Sequence, residues 1–151
     1  MLISLHTVQW AAEECTRQKS GEMSVAWMIE GWLYAHRRRN QTIILRDVLA
    51  LGSIVEPRTN RRGLRQVSVR VGSDIMLDWA LVPAALDQLL NETRILQPDE
   101  WFRRYEEIHP FRDGNGRTGN ILWNWLRGSL ETADTPPDFW SAPSTPVRVR
   151  A

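Results

Sequence analysis

The chain has 151 residues, enough for one domain around a single buried core, and its 19 Lys and Arg against 18 Asp and Glu leave a formal net charge of +1. Its one cysteine, Cys15, excludes an internal disulfide and offers no zinc pattern. No apolar run approaches membrane-spanning length and the N-terminus lacks a basic-then-apolar secretion signal, so the expectation is a cytoplasmic protein with no membrane partner.

Helices are predicted near residues 3–19 and 22–38, the second carrying Val25, Met28, Ile29 and Trp32 as an apolar stripe. Three arginines at residues 37–39 read as the cationic end of that helix rather than as a nucleic-acid contact. Residues 40–51 contain a short piece that the pattern leaves open between strand and helix. Beyond it, Leu64, Gln66, Ser68 and Arg70 alternate with Arg65, Val67, Val69 and Val71, and a period of two predicts an extended strand. The arginines between residues 58 and 65 surround that strand and suit the steering of an anionic ligand or the selection of acidic segments. Helices are expected again near 83–95, where Pro83 fits a first helical position, and near 99–108.

The next element opens the chemistry. Residues 109–117 read His-Pro-Phe-Arg-Asp-Gly-Asn-Gly-Arg, and behind them Ile121, Leu122, Trp125 and Leu126 lay an apolar stripe along a helix from about residue 115 to 127. Gly114, Asn115 and Gly116 therefore sit at a helix N-terminus, where unpaired N–H groups and the macrodipole favour an anion. Arg117 in the first helical turn opposes that dipole, which suggests that it meets a ligand. Asp113 is a hard oxygen ligand beside the phosphates, the usual way in which Mg²⁺ is held. Pro110 biases His109 towards an extended conformation, and its neutral imidazole can take a proton from a hydroxyl. Trp123 and Trp125 fall on different sides of this helix, which leaves one of them open to a surface position. After about Glu131 the prolines at 136, 137, 143 and 146 interrupt any regular element, so the tail is either draped over the core through Phe139 and Trp140 or disordered. The expected organisation is a mainly α fold, one domain over residues 1–130 with its core from about 23 to 130, then a proline-rich tail over 131–151.

The nine-residue stretch resembles the signature of Fic-domain proteins, the AMP-transferring branch of the Fic/Doc superfamily, at each defining position as far as Arg117. Residues 63–72 resemble that family's flap, a β-hairpin beside the active site, and residues 101–108 resemble the helix leading into the signature. The likeness runs from about Met23 to Leu130. It implies a helical bundle with a small hairpin, acting as a protein adenylyltransferase that uses ATP with Mg²⁺. In that role His109 would deprotonate a Ser, Thr or Tyr hydroxyl of a target protein, which attacks the α-phosphate and displaces pyrophosphate. Asp113 would hold the metal, Gly114, Asn115 and Gly116 would form the anion hole, Arg117 would meet the phosphate chain, and Phe111 would anchor the loop. The flap, from Gly63, Leu64, Arg65, Gln66, Val67 and Ser68 to Val69, would dock the target by adding it as a strand.

Two departures accompany the likeness. The family's longer pattern has a second arginine three residues after the first, on the γ-phosphate, and this chain has Asn120 there, an amide without charge for a bidentate clamp. The Doc branch also lacks that arginine and phosphorylates its target, although it has a lysine where this chain has Gly116. A Doc-like kinase, or a weakened Fic domain that only binds nucleotide or partner, are thus the alternatives. The second departure concerns residues 28–31, which resemble an inhibitory helix in which Glu30 would pair with the second arginine. Ala26 stands where that motif has a serine or threonine, and Glu30 is alternatively an ordinary helical carboxylate. The resemblance also raises a toxin-like role with a small antitoxin-like inhibitor. Target identity, nucleotide base and oligomeric state are not encoded in any motif.

Overall fold

A computed structural model describes residues 3–139, so Trp140 and the prolines at 143 and 146 lie outside the described residues. Among the described residues seven α-helices and one two-stranded hairpin follow in chain order: α1 Leu5–Arg17, α2 Met23–Arg37, α3 Leu45–Val55, the short α4 Pro57–Asn60, β1 Arg70–Val71, β2 Asp74–Ile75, α5 Val82–Asn91, α6 Pro98–Ile108 and α7 Asn115–Arg127. The fold is mainly helical with a small antiparallel hairpin, as the sequence predicts. The open piece after residue 40 resolves as α3, whose first amides are held when Asp47 Oδ2 accepts a hydrogen bond from the Ile44 N–H at 3.0 Å. The helix predicted for 83–95 starts one residue earlier and stops at Asn91, with Glu92–Leu96 carried on as turns.

Helix α7 is the centre of the molecule, packed between α2, α3 and α6, while α1 lies on α2 and α5 on α6. Its sequence explains how a partly polar helix can be buried on every side. Asn124 donates to the carbonyls of Asn120 and Asp134 and accepts from Ser129 Oγ and the Asp134 N–H, so each polar atom of the buried amide is satisfied. Thr118 donates to the Gly114 carbonyl and shares a 2.7 Å hydrogen bond with the Tyr105 hydroxyl of α6. Neither tryptophan of α7 takes the surface position that the helical pattern left open. Trp123 and Trp125 are both buried because each indole N–H finds an acceptor, Asp99 Oδ1 and the Gln41 carbonyl.

The expected flap strand over 63–71 is much shorter than its alternation suggests. Only Arg70 and Val71 pair, opposite Ile75 and Asp74, with one further bond from the Met76 N–H to the Val69 carbonyl. Arg65 is the cause. Its guanidinium is buried and donates to the carbonyls of His109, Val67, Leu77 and Ile108, while its own N–H bonds the Pro110 carbonyl. A residue folded inward onto another segment's carbonyls cannot also serve a strand edge, so residues 63–69 trace an irregular path. The described part of the tail packs on α1 and α6: the Ala133 N–H bonds Thr7 Oγ1, Trp10 Nε1 bonds Thr135 Oγ1, and the Phe139 ring lies 6.0 Å from that of Phe102 of α6.

Candidate active site

The loop between α6 and α7 is built from its anchor outward. Phe111 is fully buried against α3, where Gly52 leaves its face bare: a Cβ there would sit 2.2 Å from Phe111 Cζ. Asn115 clasps the loop on itself, accepting from the Phe111 N–H at 2.9 Å and donating to the Phe111 carbonyl at 2.8 Å. Its carboxamide is thus committed to the loop, and only its backbone remains to bind a ligand. Gly114 turns the chain at φ 76° to start α7, and no side chain caps that helix, so its first-turn amides have no acceptor of their own. Asp113 projects beside them. One of its oxygens accepts the Gly114 N–H at 2.7 Å, and the side chain is 62% exposed.

His109 ends α6 in a left-handed conformation, φ 50° and ψ 64°, rather than the extended one predicted from Pro110. Proline forbids continued right-handed helix, and αL is the helix's own way to stop, since the His109 N–H still bonds the Tyr105 carbonyl at 2.9 Å. The imidazole is largely enclosed, with Nδ1 buried. Burial lowers its pKa from 6.5 to about 4; the Glu106 backbone carbonyl opposes this and the Arg65 charge adds to it. At neutral pH the ring is therefore uncharged.

Two adjoining clefts meet at His109, Gln18 and Gly116. The larger, about 510 Å³, holds Asp113, the α7 amide turn, Arg117, Val69 and Arg70 of the hairpin segment, and the end of α1. The smaller, about 350 Å³, runs past Asn120, Phe102 and the tail at Thr135–Asp138. Arg117 lines the larger cleft yet is almost wholly buried, donating to the Val55 carbonyl at 3.1 Å and to Glu56 Oε2 at 3.2 Å. Glu56 also binds Arg58, and that hydrogen bond, opposed by burial and joined by Arg117, holds its carboxyl below the ordinary range.

Asn120 is buried and donates to Glu14 Oε2 of α1 at 2.8 Å, whereas Glu30 is exposed on α2. The carboxylate on position 120 is thus Glu14, which the sequence pattern did not single out. Burial works to raise the Glu14 carboxyl, but hydrogen bonds from Arg17, Gln18 and Asn120 outweigh it and hold it low. The flap residues divide: Gln66, Val67 and Ser68 are exposed, Gly63, Leu64 and Val69 half-buried, and Arg65 is withdrawn from docking altogether.

Among the described residues no group of three or more His, Cys, Asp and Glu could hold a metal by itself. A divalent cation here would share Asp113 with phosphate oxygens and water, which is the arrangement Mg²⁺ favours, and the unbonded oxygen of Asp113 beside the open α7 amides fits it. No described helix is long and apolar enough to cross a membrane. No curated protein matches the chain. A family model does, that of the Fic/DOC family, over residues 40–126, more than half of the sequence and including α3, the hairpin, α6, the signature loop and nearly all of α7. The chain belongs to the Fic/DOC family.

Proposed function

We propose that the chain is a transferase that moves the AMP moiety of ATP to a Ser, Thr or Tyr hydroxyl of a target protein. The observation that carries this reading is the uncharged His109 at the meeting point of two clefts, beside a carboxylate and an uncapped helix N-terminus. Nδ1 is buried, so Nε2 is the nitrogen left to accept the hydroxyl proton. The freed oxygen forms a bond to the α-phosphorus, the bond from that phosphorus to the bridging oxygen breaks, and pyrophosphate leaves. The α7 amides would face the charge that builds on the phosphates, in an orientation fixed before the reaction, while Arg117 at the cleft wall stays paired with Glu56. Asp113 would hold Mg²⁺, which supplies charge neutralisation for the phosphate chain. A target strand would lie along the hairpin segment, whose residues Val69 and Arg70 reach the cleft that holds His109.

Asn120 supports a second reading. With no cation at that position to hold the γ-phosphate, ATP could bind in the reverse sense and give up its γ-phosphoryl group. Incubation with Mg²⁺ and ATP radiolabelled at either the α or the γ position separates the two, scored on the chain itself and on cytosolic proteins. Protein-bound α label that disappears in His109→Ala is the expected result. Protein-bound γ label alone overturns AMP transfer in favour of phosphotransfer, and nucleotide binding without either label leaves a binding domain.

A further inference from the structure

We propose that Lys19, at the end of α1, is the cation that contacts the outer phosphates of the nucleotide in place of the arginine that position 120 lacks. The proposal rests on the nucleotide reading of the larger cleft. Of the cations along that cleft, Arg58 and Arg117 are both taken by Glu56. Lys19 lines the same cleft, is exposed, and among the described residues its ammonium has no ion pair.

Its neighbours locate it. Gln18 lies directly over the anion turn, its Oε1 2.5 Å from where a Cβ on Gly116 would stand, and its Nε2 donates to the same Glu14 oxygen that accepts from Asn120. The C-terminal end of α1 therefore reaches both Gly116 in the first turn of α7 and, through Glu14, position 120, and Lys19 is the next residue along. Arg70 and Arg112 also reach the cleft, but they come from the hairpin and from the loop before Asp113.

The backbone supplies an independent sign. Lys19 has φ 55°, and among the described residues only it and His109 are non-glycine residues with positive φ. A helix end that turns in this way ordinarily takes glycine, and a lysine there is strained. The turn is nonetheless fixed, by the Lys19 N–H on the Thr16 carbonyl at 3.1 Å and the Ser20 N–H and Oγ on the Cys15 carbonyl, each at 3.0 Å. Both strained residues line one cleft, and one of them is the proposed base. A flexible ammonium on a rigid turn suits a phosphate chain as a point charge.

The test is calorimetric titration of the full chain, with Mg²⁺, against α,β-methylene ATP and against AMP. Lys19→Ala and Lys19→Gly should weaken the triphosphate about tenfold and AMP less than twofold, and Lys19→Arg should keep most of the affinity. Lys19→Gly should also melt about 2–4 °C higher than the unaltered chain, since it relieves the αL strain, so its lost affinity could not be lost folding. Equal weakening of both nucleotides, no weakening, or selective weakening in Arg112→Ala instead of the Lys19 variants overturns the proposal. An unaltered chain that binds neither nucleotide overturns it together with the nucleotide reading, whereas triphosphate binding indifferent to Lys19 overturns this inference alone.

Discussion

Acidification should expose how firmly the fold holds His109 uncharged. Burial takes its imidazole from 6.5 down to about 4, so below pH 6.5 the unfolded chain binds a proton that the native chain refuses. A group whose folded pKa is depressed in this way leaves stability intact at high pH and removes it as pH falls. Between pH 7 and pH 5 the loss works out at about 2 kcal/mol, and it approaches about 3 kcal/mol near pH 4, where the native ring also begins to charge. Urea unfolding at pH 7, 6 and 5, with His109→Asn run alongside, isolates the contribution of this ring from those of the carboxylates. The unaltered chain should lose about 2 kcal/mol more than the variant over that range. The acidic limb of kcat/KM, which reports the free enzyme, should likewise fall near pH 4 to 5 and not near 6.5. Parallel pH dependence in the two proteins, or an acidic limb at 6.5, would refute the claim that burial governs this residue.

Arg65→Met should unfasten His109 from below, because the carbonyls of His109, Ile108 and Leu77 lose a charged donor that nothing nearby replaces. A cost of about 3 kcal/mol is expected, read as a fall of roughly 6–12 °C in Tm, with kcat reduced more than nucleotide affinity. Gly52→Ala drives a methyl group into the Phe111 ring and should cost about 1–3 kcal/mol through overpacking. Because Phe111 carries the signature loop, the same substitution should slow turnover, and a variant with unchanged Tm and turnover would show that the ring has room to move.

Most of the helices and the signature were legible because each is a local pattern. Pro98 with Asp99 and Glu100 marks the start of α6, and Ile121, Leu122 and Trp125 mark the buried face of α7. What the chain hides is which polar residue turns inward. The alternation around Arg65 predicts a strand, and strand propensity is overridden by four carbonyls, two of them at the end of α6, that attract a guanidinium more strongly than the ladder would hold its backbone. Asn115 likewise looks like a turn residue for an anion and serves as a clasp on Phe111. The residues around position 120 were illegible for another reason. Glu14 and Asn120 lie more than a hundred residues apart, and only the packing of α1 on the bundle brings them together.

That distance changes how the departure at position 120 reads. Glu14 would be the natural partner of an arginine there, but its carboxylate already receives two hydrogen bonds from Arg17, at 3.0 and 2.7 Å, and one from Gln18. Its charge is compensated within its own helix. Asn120 adds a single further donor, which ties α1 to α7 without adding or cancelling charge. A phosphate arriving at this corner therefore meets a neutral amide and a satisfied ion pair, with no cation to be released from a carboxylate. On the nucleotide reading, positive charge for the outer phosphates would come from a residue that is not already paired. Helix α1 and the turn after it, which lie outside the 40–126 match to the family, place Lys19 on the same cleft wall as the α7 amides. The proposed compensation for Asn120 would thus come from a part of the chain with no counterpart in the signature.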